Sequence, residues 1–115
     1  MPLTDNQFRE RIRELNDAFR KPLDPALGRV MLTAGVDALP ADVRAMAFQK
    51  VAAFDIFAAG NDPHGEHDFG SFDLAGDKFF WKIDYYDSTF EFGSEDPADP
   101  TKTTRVLTLM LAAEY

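Results

Sequence analysis

The chain has no cysteine and only two histidines among its 115 residues. The missing thiols exclude disulfides, cysteine nucleophiles and cysteine metal sites, and they fit a reducing compartment. No 18 apolar residues run together, and the polar start MPLTDNQFRERIREL lacks the apolar segment of a secretory signal. We therefore expect a cytoplasmic protein, without a membrane partner, in a single domain over residues 1–115.

Basic residues are scarce in the middle of the chain. Residues 55–100 contain 12 acidic side chains but only Lys78 and Lys82, a net charge of −10, whereas the flanking segments 1–54 and 101–115 each carry +1. The whole chain therefore has a net charge of −8. Such a charge repels nucleic acid phosphates and attracts basic protein surfaces. This predicts a protein partner with a basic surface and no direct nucleic acid binding.

The chain is nevertheless rich in apolar residues, with 45% hydrophobic side chains and 11 phenylalanines, which is typical of a packed protein. Phe8, Ile12, Leu15 and Phe19 recur at helical spacing and predict an N-terminal helix over residues 5–20. Arginines at positions 9, 11 and 13 alternate with acidic residues, which favours a solvated helix face over a phosphate-binding arm. Residues 27–115 are expected to form an α+β core.

Within this core the patterns predict a strand near residues 29–33, a helix after Pro40, and an antiparallel meander from the segment HDFGSF to TFEFG. The segment TKTTRVLTLMLAAEY, with Val106, Leu109, Met110 and Ala113 on one face, predicts a terminal helix. The expected fold is α+β: a small antiparallel sheet of three to four strands packed with three helices, in the order α-β-α-β-β-β-α.

The stretch NDPHGEHDFGSF, residues 61–72, collects both histidines. A metal site would use His64, His67 and Asp68, since imidazole and carboxylate are common ligands. However, Pro63 and Gly65 favour a loop, in which the histidine spacing does not align the two rings. We expect a turn stabilised by its own hydrogen bonds, and we predict no metal and no cofactor.

A hydrolytic site is the other chemical alternative for this stretch. It would use His67 as general base beside Asp68 or Asp84, with Ser71 or Ser88 as nucleophile. No GxSxG motif surrounds either serine. Enzymatic activity is thus an open question, with a non-enzymatic role favoured.

A resemblance extends over roughly residues 27–115. The segments RVMLTAGVDALP, NDPHGEHDFGSF, FFWKIDYYD, FGSEDPADP and TRVLTLMLAAEY occur in that order. In them the chain resembles a bacterial family of short, often plasmid-borne proteins, domain of unknown function 3768. The resemblance implies no activity, cofactor or catalytic residue. A plasmid habitat favours roles in mobile-element maintenance or in countering host defence.

The leading functional hypothesis is an acidic, non-enzymatic protein-binding module, monomeric or homodimeric. It could act as a DNA-mimicking inhibitor of a host restriction or CRISPR system. Interfaces combine aromatic anchors with complementary charge. The predicted binding residues are therefore two aromatic side chains and the acidic side chains near them: Asp84, Tyr85, Tyr86, Asp87, Glu91, Glu95, Asp96 and Asp99. The alternative is a small enzyme or metal-binding protein centred on His64, His67 and Asp68.

Overall fold

A computed structural model describes residues 3–115. Its helices and strands follow one another in an α+β order. They are α1 (Asp5–Arg20), β1 (Gly28–Leu32), α2 (Ala34–Asp37), α3 (Ala41–Ala53), β2 (Phe69–Leu74), β3 (Asp77–Tyr86), β4 (Thr104–Leu111) and a final 3-10 turn (Ala112–Glu114). The α+β class is confirmed. One four-stranded sheet, in the order β1-β4-β3-β2, carries the fold.

Helix α1 has the predicted bounds because its first turn is capped by its own sequence. The hydroxyl of Thr4 accepts a hydrogen bond from the Gln7 amide at 3.2 Å, and the Thr4 amide donates to the Gln7 side chain at 2.8 Å. This reciprocal capping box satisfies two amides that the helix leaves unpaired. Ile12 and Phe19, from the predicted apolar stripe, are buried.

Strands β2 and β3 form the predicted hairpin around a two-residue turn at Ala75 and Gly76. Both turn residues have positive φ, 54° and 84°, as turns that match the twist of a hairpin require. Along β3 the side chains alternate, so that Phe79, Trp81 and Ile83 are buried on one face of the sheet. Phe19 from α1 and Val51 from α3 join them in the main core cluster.

The predicted C-terminal helix is wrong, because residues 104–111 form the strand β4. This strand lies between β3, to which it is antiparallel, and β1, to which it is parallel. The sheet is therefore mixed rather than purely antiparallel. Buried side chains occur on both faces of β4, among them Val106, Leu107 and Met110. A central strand reads as a continuous apolar run, which periodicity alone does not separate from a buried helix.

The segment TFEFG is also not the predicted strand. After β3 the chain turns at Asp87, and Phe90 adopts a positive φ of 61°, which interrupts an extended strand. Only an isolated bridge between Tyr86 and Gly93 remains of the expected pairing. Residues 87–103 consequently form a long connection that joins two neighbouring strands at one end of the sheet.

A buried arginine joins α1 to the end of α3. Arg20 is 1% exposed, and its guanidinium donates to the carbonyl oxygens of Val51 at 2.6 Å and Phe54 at 3.0 Å. These carbonyls belong to the last turn of α3 and its C-cap, where backbone acceptors lack helical partners. Asp17 supplies the counter-charge at 2.9 Å. None of the helices within residues 3–115 is both long and apolar enough to cross a bilayer.

Candidate binding surface

The histidine-containing stretch folds as a turn held by Asp62. The Asp62 carboxylate is almost fully buried and accepts hydrogen bonds from the backbone amides of Glu66 at 3.0 Å and His67 at 3.1 Å. His67 has a positive φ of 56°, and its ring stacks on Phe57 with 3.8 Å between ring centroids. These contacts give Asp62 and His67 structural partners within the protein.

The ring of His67 lies between two carboxylates. Its Nδ1 is 3.0 Å from Asp17, and its Nε2 is 3.9 Å from Asp62. Two carboxylates on opposite ring nitrogens do not converge on one ion. His64 is exposed, and no serine lies within hydrogen-bond distance of His67 in the described part of the chain. Nor do residues 3–115 contain a group of three His, Asp or Glu side chains suited to a metal.

Asp68 and Tyr85 are partly withdrawn from water. Burial raises the pKa of the Asp68 carboxyl, and the nearby charge of Glu66 raises it further. Burial also raises the pKa of the Tyr85 hydroxyl, which donates to Glu66 at 2.8 Å and accepts from Asn16 at 2.8 Å. The Tyr85 ring packs against the main core cluster. Tyr85 is therefore not the exposed anchor that the sequence suggested.

The same network reaches a second buried arginine. Arg105 is 0% exposed, donates through Nε to Asn16 at 2.7 Å and through Nη2 to the Pro97 carbonyl at 2.6 Å, and has its guanidinium over the Tyr85 ring. Burial lowers the pKa of Arg105. The network joins α1, the histidine-containing turn, β3, β4 and the 87–103 connection. It therefore holds that connection against the sheet.

The predicted acidic residues fall into two groups, of which the first is engaged within the protein. Asp84 forms an ion pair with Lys82 at 2.9 Å. Asp96 accepts from the Ala98 amide, and Asp99 accepts from the amide and hydroxyl of Thr101. The Thr101 hydroxyl lowers the pKa of Asp99, and the positive charges of Lys102 and Arg11 contribute further.

The second group is exposed and lies beside aromatic rings. Glu91 and Glu95 have exposed side chains that form no hydrogen bond or ion pair with residues 3–115. Phe90 is 48% exposed and Phe92 is 70% exposed. Together with the half-buried Tyr86 and Asp87 they form a surface that we call the acidic aromatic patch, which consists of Tyr86, Asp87, Phe90, Glu91, Phe92 and Glu95.

The residues of the patch are brought together by the turn that follows β3. The Asp87 amide donates to the Phe92 carbonyl at 2.9 Å, and the rings of Tyr86 and Phe90 have centroids 6.3 Å apart. One oxygen of Asp87 accepts from the hydroxyl and amide of Thr89, and this bonding lowers the pKa of Asp87. Asp87 therefore stays ionised. A cavity of about 350 Å³ opens between this turn and Thr101 and Lys102.

A comparison with family models matches residues 32–114 to a protein family of unknown function, DUF3768. The chain belongs to this family. No curated protein and no solved structure matches the chain. Membership in DUF3768 assigns no reaction or ligand, so the functional argument depends on the surface itself.

The acidic residues of the patch and Tyr86 were predicted from the sequence of this DUF3768 member, whereas Phe90 and Phe92 were not. Phe90 and Phe92 were assigned to a strand, where alternation would give them a buried face. Asn16 and Arg105, which hold the neighbouring connection, gave no signal because their partners lie far away in the chain.

Proposed function

We propose that this protein is a non-enzymatic binding module whose acidic aromatic patch docks on a basic surface of a partner protein. The observation that carries the proposal is the pair of unpartnered carboxylates, Glu91 and Glu95, beside the exposed rings of Phe90 and Phe92. Rings of this size contribute most to affinity when they are desolvated at the centre of an interface. Carboxylates around them speed association with a basic partner and select for it.

The finer form of the proposal is a DNA-mimicking inhibitor of a nucleic-acid-targeting defence complex, such as a restriction or CRISPR system. It draws support from the net charge of −8 and from the −10 of residues 55–100. This finer proposal also includes a plasmid-borne gene, which the resemblance implies, and a cytoplasmic location of the protein. A mimic occupies the same basic groove as DNA, so duplex DNA should displace the protein from its partner. The protein itself should not shift DNA in a gel, because like charges repel.

The enzyme or metal-binding alternative centred on His64, His67 and Asp68 has less support. The carboxylates of Asp17 and Asp62 and the ring of Phe57 contact His67, so this side chain already has structural partners. His64 is exposed and has no nearby ligand set in the part of the chain described.

The test compares three baits in affinity purification from cells that encode the protein. The first bait is the wild type, the second is the double variant Glu91→Lys with Glu95→Lys, and the third is the control Glu10→Lys with Asp42→Lys. All four substituted positions are exposed. Each double variant replaces two acidic residues with lysine, so both variants change the net charge from −8 to −4. We expect one partner that the wild type and the control retain and the patch variant loses.

The kinetics of the captured pair provide the second measurement. Steering by charge depends on salt because interactions are screened over about 10 Å at 0.1 M ionic strength. The patch variant should associate more slowly than the control and with a weaker salt dependence. Equal capture by the patch and control variants would place the docking surface elsewhere.

A further inference from the structure

The cavity within the acidic aromatic patch has the size and charge to hold one side chain of a partner. Its volume of about 350 Å³ lies at the small end of ligand pockets, which span roughly 300 to 1,000 Å³. Asp87, Phe92, Glu95, Thr101 and Lys102 are among the residues that line it. A single long side chain fits within this volume.

The charges of the cavity favour a cation. Asp87 uses Oδ1 for the bonds within its own turn, and its Oδ2 accepts none from residues 3–115. Glu95 has no partner in that part of the chain. Two carboxylates thus oppose the single ammonium of Lys102, which leaves an excess negative charge that a cationic side chain neutralises.

Phe92 distinguishes between the two common cationic side chains. Phe92 is 70% exposed and is one of the residues that line the cavity. A guanidinium stacks its flat face on an aromatic ring while its edge donates to a carboxylate, and an ammonium does not offer this combination. The protein itself holds Arg20 in this way, with the guanidinium 5.2 Å from the Trp81 ring centroid and 2.9 Å from Asp17.

We propose that the cavity receives an arginine side chain of the basic partner protein, stacked on Phe92 and paired with Glu95 and Asp87. This inference rests on the proposed function, because it identifies the anchor residue of the partner that docks on the acidic aromatic patch. Lys102, which also lines the cavity, disfavours a second cation there.

The experiment is a titration of the ¹⁵N-labelled protein, followed by amide resonances, with two synthetic peptides. One glycine–serine peptide carries arginines, and the other carries lysines at the same positions, so their charges match. We expect saturable shifts at residues 87–95 and 101–102 with the arginine peptide. The lysine peptide should bind more weakly, by about threefold, because its ammonium loses the stacking on Phe92.

Two variants and one control localise the binding. Phe92→Leu keeps an apolar side chain but removes the ring face, and it should abolish the preference for arginine. Glu95→Gln should weaken the arginine peptide by about threefold, a typical effect for a partly exposed ion pair. Glu10→Gln removes the same charge from the exposed face of α1 and should leave binding at the cavity unchanged.

The outcomes separate this inference from the proposed function. Equal affinity for both peptides, or shifts confined to other residues, overturns the arginine site. Loss of partner capture in the patch variant supports the binding module even then. Conversely, arginine binding at the cavity without any difference between the three baits leaves the site standing and overturns the docking proposal.

Discussion

Asn16 is a fully buried amide on which several polar groups of the interior converge. It accepts from Arg105 and donates to the Tyr85 hydroxyl and the Glu66 carbonyl. The Nη1 of Arg105 already has no hydrogen-bond partner within residues 3–115. Removal of Asn16 therefore leaves a guanidinium that is 0% exposed with one partner fewer, and that is costly because a buried charge needs hydrogen-bond partners.

We expect Asn16→Ala to lower the free energy of unfolding by about 3 kcal/mol, since hydrogen bonds to charged groups are the stronger ones. Tyr85→Phe removes the hydroxyl that donates to the half-buried carboxylate of Glu66 and should cost less, about 1.5 kcal/mol. Urea denaturation of both variants gives the comparison. A larger loss in Tyr85→Phe would show that Arg105 does not depend on Asn16.

Gly70 is a residue where the sheet and the core approach closely. A Cβ built on Gly70 lies 2.7 Å from Cε2 of Trp81 and 2.9 Å from Cε1 of Phe54. Both rings are held in the core, where added volume forces side chains out of their preferred rotamers.

Gly70→Ala should therefore lower the free energy of unfolding by roughly 1 to 3 kcal/mol. Gly60→Ala is the matched control, because no atom lies within 4 Å of its added Cβ and Gly60 has no positive φ. Thermal unfolding of the two variants measures the difference. Equal midpoints would contradict the tight contact between β2 and Trp81.

An element can be predicted when the sequence features that determine it are local, and not when they depend on distant parts of the chain. Helix α1 was predicted with its bounds because its cap and one apolar stripe are local in the sequence. Strand β4 was missed because its partners, β1 and β3, cover both of its edges and no sequence signal records that central position. The exposed rings of the patch could not be predicted either, since their exposure follows from the early end of β3.

The C-terminal 3-10 turn is tied to the start of α2 by one carboxylate. Glu114 accepts from the Thr33 hydroxyl at 2.6 Å, the Gly35 amide at 2.9 Å and the Leu111 amide at 3.0 Å. The Thr33 hydroxyl and these amides lower the pKa of Glu114. A lowered pKa means that the ionised form stabilises the fold.

The stabilisation from Glu114 is present above the pKa of an unfolded glutamate, about 4.3, and is lost as the pH falls through the lower folded value. We expect the Gly35 amide resonance to titrate with a midpoint below about 4.3. The variant Glu114→Gln should remove this titration. A midpoint at or above the ordinary value would show that the three donors do not favour the ionised carboxylate.

On the scale of the whole molecule, the acidic residues divide between folding and a free surface. Asp62 belongs to the first class, because its buried carboxylate accepts two backbone amides of the histidine-containing turn. Glu91 and Glu95 belong to the second, because their side chains are exposed and form no hydrogen bond or ion pair with residues 3–115. A net charge far from zero also disfavours the compact state through self-repulsion.

This division predicts opposite effects of carboxylate substitutions. Asp62→Ala should lower the free energy of unfolding by about 2 kcal/mol, because it leaves two amides without their acceptor. The double variant Glu91→Lys with Glu95→Lys changes the net charge from −8 to −4 and should alter stability by no more than about 0.5 kcal/mol. Urea midpoints at fixed salt measure both. A stable double variant that loses its partner identifies these charges as a docking surface, whereas a destabilised one would assign them to the fold.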